Sequence, residues 1–194
     1  MASKKGNIKK KVLVLCSGGI DSTALMFFYK KLGFHVTAFF VNYKQQSKKY
    51  ELQAVKSICN QYKFTLKSIE IKGKFTFGEG DIIGRNLFLI SSALLFSNLK
   101  SGIIAIGVHA GTDYIDCSAS FINKCNETFT LYSDGKIILA APFMDWSKSN
   151  IIQYCHVENI PLSLTYSCER GTLPACGMCG TCKEINKIYA RKDK

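Results

Sequence analysis

The chain has 194 residues, 47% of them hydrophobic, which is enough for one sizeable core and leaves little for a second, so residues 1–194 are read as a single catalytic domain. A formal charge of +12 raises nucleic acid as a partner, yet only Arg85, Arg170 and Arg191 are arginines and the lysines are scattered, so nucleic acid is disfavoured and the charge reads as a solvated surface. No run approaches ~18 apolar residues and residues 1–11 are polar and basic, arguing against a membrane span or signal peptide and for the cytoplasm, where nine cysteines, an odd number, do not suit a disulfide scaffold.

Residues 11–16 are short, β-branched and unalternating, the pattern of a strand buried on both faces of a parallel sheet. A helix follows over 22–32, with Ala24, Leu25, Phe28 and Leu32 on one side and Gly33 as its C-terminal cap. The periodicity then predicts a strand over 35–41, a helix over 48–62, a strand over 64–71, a helix over 86–99, a strand over 102–107, a helix over 118–132 and a strand over 136–140. This alternation implies a doubly wound parallel five-stranded α/β sheet of Rossmann-like type with right-handed crossovers. Ligands in such sheets bind beyond the carboxyl ends of the strands, so the loops at 17–22, 42–47, 78–86, 107–117 and 142–148 are the candidate site.

The first of these loops reads Ser17-Gly18-Gly19-Ile20-Asp21-Ser22-Thr23. Glycines let the backbone approach an anion, hydroxyls donate to it, and the next helix offers free N–H groups and the positive end of its dipole. It is neither GxxxxGK[ST] nor GxGxxG, which lowers kinase-like transfer and dinucleotide binding. The bland alternative is a Gly-Gly turn followed by an Asp-Ser cap. Near the other end, Cys168 precedes Cys176-Gly-Met-Cys179-Gly-Thr-Cys182, and four thiolates at this spacing can converge on a tetrahedral Zn²⁺, with a [4Fe–4S] cluster as the rival. Residues 163–191 are thus read as a metal-binding tail within the domain, while Cys16, Cys59, Cys117, Cys125 and Cys155 fall mostly in apolar segments, where cysteine is a small core residue.

The loop at 17–23 resembles the SGGxDS loop of the ATP-pyrophosphatase superfamily. Together with Asn42-Tyr43-Lys44-Gln45 and Glu51, Gly84-Arg85-Asn86, Asp113-Tyr114-Ile115-Asp116-Cys117 with Phe121, and Thr165-Tyr166-Ser167-Cys168 before the cysteine cluster, it resembles the 7-cyano-7-deazaguanine synthase family across most of the chain. The resemblance implies that ATP adenylates 7-carboxy-7-deazaguanine with release of pyrophosphate, that a nitrogen nucleophile displaces AMP to give an amide, and that a second activation yields the nitrile. It assigns ATP to Ser17, Gly18, Gly19, Asp21, Ser22, Thr23, Val41 and Gly107, and the deazapurine to Tyr43, Gln45, Arg85, Asn86, Tyr114 and Asp116. Asp21, Lys148 and Arg85 are the catalytic candidates, Asp21 as a ligand of Mg²⁺ on the pyrophosphate; Zn²⁺ falls to Cys168, Cys176, Cys179 and Cys182, and the family's tendency is to form a homodimer.

Each assignment has a plainer reading: Arg85 a solvated loop cation, Asp116 a helix N-cap before Cys117, Lys148 a surface lysine, His109 an idle loop histidine rather than an acid or base. The chain also departs from the pattern. Tyr43-Lys-Gln-Gln-Ser47 lacks the glycine and Arg-His pair of the usual YGQRH and looks closer to the YGQxS of a side branch encoded in antiphage-defence operons, whose members are thought to join the activated deazaguanine to a protein's amino terminus; Ile185 stands where an arginine is usual. The nucleophile, ammonia or a protein amine, is therefore left open. The rival enzyme class is a tRNA thiolase or lysidine-type synthetase sharing the same loop, and the non-enzyme rival a zinc-containing binding module.

Overall fold

The computed structural model describes residues 10–74, 77–78, 80, 82–111 and 114–192; Asp113 and the basic residues before Lys10 lie outside them. The strands are β1 (Lys11–Leu15), β2 (His35–Asn42), β3 (Thr65–Glu70), β4 (Gly102–Ala105) and β5 (Ile137–Ala140). They form one sheet in the order β3-β2-β1-β4-β5, every pairing parallel. The helices are α1 (Ile20–Lys31), α2 (Lys48–Tyr62), α3 (Arg85–Phe96), α4 (Ala119–Ser133), α5 (Lys148–Val157) and α6 (Gly180–Lys192).

Period-two alternation along β1 sends Val12 and Val14 to one face and Leu13 and Leu15 to the other. The first face packs against Ala24, Leu25 and Met26 of α1, Val55 and Ile58 of α2, and Ile151, Ile152 and Cys155 of α5. The second packs against Ile90 and Ala93 of α3 and Ile122, Cys125 and Phe129 of α4. With helices on both faces, the strand order reverses between β1 and β4, and the cleft over their carboxyl ends is the topological switch point.

Two details differ from the sequence expectation. Leu32 is exposed, because α1 ends at Lys31 and Gly33, at φ +80°, turns the chain away; Met26 and Tyr29 are buried instead. Helices α5 and α6 also were not predicted, since α5 is short and its buried residues fill only part of a face, and α6 starts inside the cysteine cluster.

The loop between β5 and α5 is held by aromatic packing and hydrogen bonds. Phe143 is fully buried, stacks on Trp146 at 4.7 Å and meets the edge of Phe28 at 5.6 Å. The Trp146 carbonyl accepts the Ala110 N–H at 2.9 Å, tying this loop to the one after β4. Ser147 and Asn150 form a capping box that starts α5, so Lys148 projects from a fixed helix terminus.

Candidate active site

A cavity of about 340 Å³ opens at the switch point. Its floor is the turn after β1. Gly18 adopts φ +77° with its Cα against the Glu51 carbonyl, where an added Cβ would meet that oxygen at 2.7 Å, so no other residue fits. Gly19 forms a cradle: an added Cβ there would meet Ser167 Oγ at 3.3 Å and Ser17 Oγ at 3.4 Å. Gly107 lets β4 approach α1, since a Cβ there would sit 3.3 Å from the Ser22 nitrogen. The first turn of α1 opens beside a pocket lined by hydroxyls, two of which already accept from it: Ser17 Oγ from the Gly19 N–H and Ser167 Oγ from the Ile20 N–H, each at 3.4 Å.

Above that turn, Lys148 Nζ lies 2.7 and 2.6 Å from the two Asp21 oxygens. Lys148 is buried and the Asp21 side chain is 24% exposed, so the pair is desolvated on one side and open to the cavity on the other. His109 Nε2 is 3.9 Å from Asp21 Oδ2. Its Nδ1 is 2.7 Å from the Ala110 carbonyl, which only accepts, so Nδ1 carries a proton and Nε2 faces the carboxylate. Lys148 is thus no surface lysine.

A second wall is built by the loop after β2. Gln45 donates to the Val41 carbonyl at 3.2 Å and to Glu51 Oε2 at 2.8 Å and accepts from the Tyr43 N–H at 3.0 Å; Ser47 donates to Glu51 Oε1 at 2.7 Å. Burial pushes the Glu51 carboxyl above its ordinary range, partly offset by the Gln45 and Ser47 hydrogen bonds and the charge of Arg85. Lys44, at the position where the pattern has glycine, takes φ +70° and donates through Nζ to the Gly73 carbonyl. Burial likewise raises the Tyr43 phenol, with the Arg85 guanidinium acting in the opposite direction.

Arg85 and Asn86 open α3. Asp116 does not cap α4, whose cap is Ser118, accepting from the Phe121 N–H at 3.2 Å. Instead it reaches across to α3: Oδ2 accepts the Asn86 N–H at 3.2 Å, and Asn86 Nδ2 donates back to the Asp116 carbonyl at 3.3 Å. Asp116 is buried and its side chain is used to hold the start of α3, whereas Asn86, Tyr114 and Cys117 line the cavity. Of the ATP candidates, Ser17, Gly19, Asp21, Ser22, Val41 and Gly107 line it too; Gly18 shapes the turn from behind, and Thr23 is wholly buried in α1. Phe39, Phe40, Leu89 and Val108 complete an apolar floor beside these polar groups.

Sequence reasoning missed the contribution of the tail. Tyr166, Ser167, Glu169, Thr181 and Glu184 line the cavity. Glu169 Oε1 accepts the N–H and hydroxyl of Thr181 at 3.1 and 2.6 Å, holding the first turn of α6. The signals available were the Thr165–Cys168 segment, which held Tyr166 and Ser167, and proximity in sequence to Cys168 and Cys182 for the others.

The four tail cysteines converge with their sulfurs all within 4.8 Å of one another. A single ion with metal–sulfur bonds of about 2.3 Å needs sulfur edges of about 3.8 Å, and Cys176 and Cys182 lie 4.0 Å apart. Backbone N–H groups of Cys176 and Cys179 point at the sulfurs of Cys168 and Cys176, at 3.4 and 3.3 Å. Burial alone would raise the Cys168 thiol, but the N–H donors of Cys176 and Thr172 outweigh it and lower it, whereas burial and the neighbouring Cys179 raise the Cys182 thiol, so the metal-free cluster favours thiolate at one sulfur and thiol at another. Gly177, at φ +70°, makes the turn that aims these donors.

With this geometry in view, the family model described as "Queuosine biosynthesis protein QueC" matches residues 11–83 and 81–192, nearly the entire described chain. The chain belongs to the QueC family. Among QueC relatives, a 7-cyano-7-deazaguanine synthase of Sulfurimonas denitrificans is 30% identical over 91% of this chain and 92% of its own length. One of Caldicellulosiruptor saccharolyticus is 29% identical over 93% of this chain and 91% of its own. Solved structures share the QueC fold at lower identity. The U34-tRNA thiolase NcsA of Methanococcus maripaludis, with its [4Fe-4S] cluster, matches with a TM-score of 0.54 at 14% identity, covering 95% of this chain and 66% of that one. The NH3-dependent NAD synthetase of Campylobacter jejuni matches with a TM-score of 0.52 at 19% identity, covering 84% and 72%. No described helix of this QueC-family chain is long and apolar enough to cross a membrane.

Proposed function

We propose that the protein is a 7-cyano-7-deazaguanine synthase-like ligase that adenylates 7-carboxy-7-deazaguanine with ATP and passes the acyl group to a nitrogen nucleophile. The observation that carries this reading is the glycine turn at the start of α1, facing a desolvated Asp21–Lys148 pair inside the one cavity that also holds Arg85. The relatives' name, 7-cyano-7-deazaguanine synthase, supports a 7-deazaguanine product.

In this reading a carboxylate oxygen of the deazapurine attacks the α-phosphorus of ATP, forming a carbon–oxygen–phosphorus link as the bond to the β-phosphate breaks. Ser17, Ser22 and the N–H groups opening α1 receive the departing pyrophosphate, and Lys148 turns from Asp21 to neutralise it. Asp21 would hold Mg²⁺, which supplies charge neutralisation on the phosphates. Arg85 offers a planar cation to carboxylate or phosphate, while Tyr43, Gln45, Asn86 and Tyr114 present polar edges to the deazapurine. Asp116 acts at one remove by fixing Asn86. The amine then attacks the acyl carbon and AMP leaves. Cys168, Cys176, Cys179 and Cys182 would hold Zn²⁺ as a closed structural site; a cubane cluster spreads its thiolates further apart because each binds a different iron.

A second reading concerns the acceptor. Ser47 uses its hydroxyl on Glu51 and Gln46 is exposed, so the cationic pair usual at this rim is replaced by neutral side chains. A rim without that cationic pair repels an approaching protein amino terminus less than the usual one does, and the terminus, like ammonia, attacks as the free amine. A homodimer, cytoplasmic location and a queuosine or antiphage-defence setting belong to the same proposal, with sedimentation testing the first. Mass spectrometry of the products formed from 7-carboxy-7-deazaguanine, ATP and Mg²⁺, with ammonia and with candidate protein acceptors, tests the reading. Amide, nitrile or a deazaguanine-modified protein supports it; transfer to tRNA with steep salt dependence would replace it with the tRNA-modifying class.

A further inference from the structure

The cysteine tail is seated directly on the phosphate loop. The Tyr166 N–H donates to the Gly18 carbonyl at 2.8 Å, and the Ile20 N–H, at the start of α1, donates to Ser167 Oγ at 3.4 Å. Gly171, at φ +64°, lies so close to the loop after β2 that an added Cβ would meet the Gln46 carbonyl at 2.3 Å. Ser167 immediately precedes the buried ligand candidate Cys168, so whatever fixes that sulfur also fixes the hydroxyl.

Ser167 Oγ occupies the mouth of the Gly19 cradle and lines the cavity. By accepting the long Ile20 hydrogen bond it occupies an N–H that would otherwise serve an anion. Its own proton is left to donate into the cavity, where the first acceptor an incoming nucleotide presents is a phosphate oxygen. We propose that Ser167 is an additional pyrophosphate-positioning residue, delivered by the cysteine tail, and that metal bound by the tail and phosphate bound by the loop stabilise one another through it. This rests on the reading that the loop holds the pyrophosphate of ATP. Coupling of this kind is reciprocal: whatever factor the metal adds to phosphate affinity, phosphate adds to metal affinity.

The test uses the full metal-loaded chain with pyrophosphate, α,β-methylene-ATP and AMP as probes, followed by calorimetry. Ser167→Ala should weaken pyrophosphate and the ATP analogue about tenfold, as loss of a hydrogen bond to a charged acceptor does, and leave AMP affinity unchanged. Ser167→Thr, which keeps the hydroxyl, should restore most of the loss. In wild type the analogue should slow metal release to a chromogenic chelator by a similar factor, and Ser167→Ala should lose that protection. Wild-type affinity for pyrophosphate in Ser167→Ala, or undiminished protection by the analogue, would overturn the proposal. Should Ser167→Ala not fold, the release experiment on wild type decides it, since no protection contradicts the coupling. If wild type binds neither pyrophosphate nor the analogue, the phosphate-loop reading itself has failed, an outcome distinct from a variant that behaves like wild type.

Discussion

Removing the Lys148 charge while keeping its length, in Lys148→Met, tests whether the Asp21–Lys148 pair is the working centre of the cavity. Two contacts of 2.6 and 2.7 Å to a buried ammonium are short, charge-assisted bonds. Breaking a fully buried pair costs about 3–5 kcal/mol; because Asp21 is 24% exposed and water can reach it, we expect about 2–3 kcal/mol here. For a chain of this size that is a fall in Tm of roughly 4–12 °C. The Asp21→Asn, Lys148→Met double variant should cost little more than either single change, because the partner is already gone, giving a coupling energy of about 2 kcal/mol. Chemical denaturation of the set measures this, and AMP formation measured alongside should fall about 100-fold or more in Lys148→Met. Energies that add to within about 0.5 kcal/mol, or adenylation at the wild-type rate, would refute the reasoning.

Phe143→Ala should destabilise the chain by about 3–5 kcal/mol in urea melts, since it empties the space between Phe28 and Trp146 and loosens the loop before Lys148. Lys44→Gly should stabilise by about 0.5–1 kcal/mol by relieving a left-handed side-chain residue, less whatever the Lys44–Gly73 contact contributes; calorimetric melting checks the sign. Because burial raises the Glu51 carboxyl, the folded state holds that proton more tightly than the unfolded chain. The associated stability is complete below the ordinary value of 4.5 and is lost as pH rises through the folded value. Unfolding free energies of wild type and Glu51→Gln should therefore shift in favour of the variant between pH 4.5 and neutrality. Cys176→Ser should lose bound metal by elemental analysis and expose the tail to proteolysis, because one of four converging sulfurs is gone.

The sheet was legible because each strand is a short apolar run and each intervening helix carries a periodic face; β1 with the Ser17–Ser22 turn behind it marked one wall of the cleft that the fold opens at the switch point. Cys168, Cys176, Cys179 and Cys182 were legible from spacing alone. Residues whose role depends on long-range contact were not. Asp116 looked like a local cap or a substrate ligand, yet its carboxylate serves the backbone of α3, thirty positions away in sequence by way of Asn86. Ser167 lay in the Thr165–Cys168 segment with no role assigned to it and Glu169 lay just beyond, and only the packing of the tail onto Gly18 and Gln46 brings them to the cavity. Lys44 shows the converse: the sequence marked the missing glycine, while the structure shows that the backbone kept the glycine-like conformation and the lysine bears the strain.

The most direct trial of the central claim is to incubate the protein with ATP, Mg²⁺ and 7-carboxy-7-deazaguanine and identify the nucleotide products. Stoichiometric AMP and pyrophosphate, dependent on the deazapurine and abolished in Asp21→Asn, is the predicted result. ADP with inorganic phosphate, or turnover indifferent to the deazapurine, would contradict it.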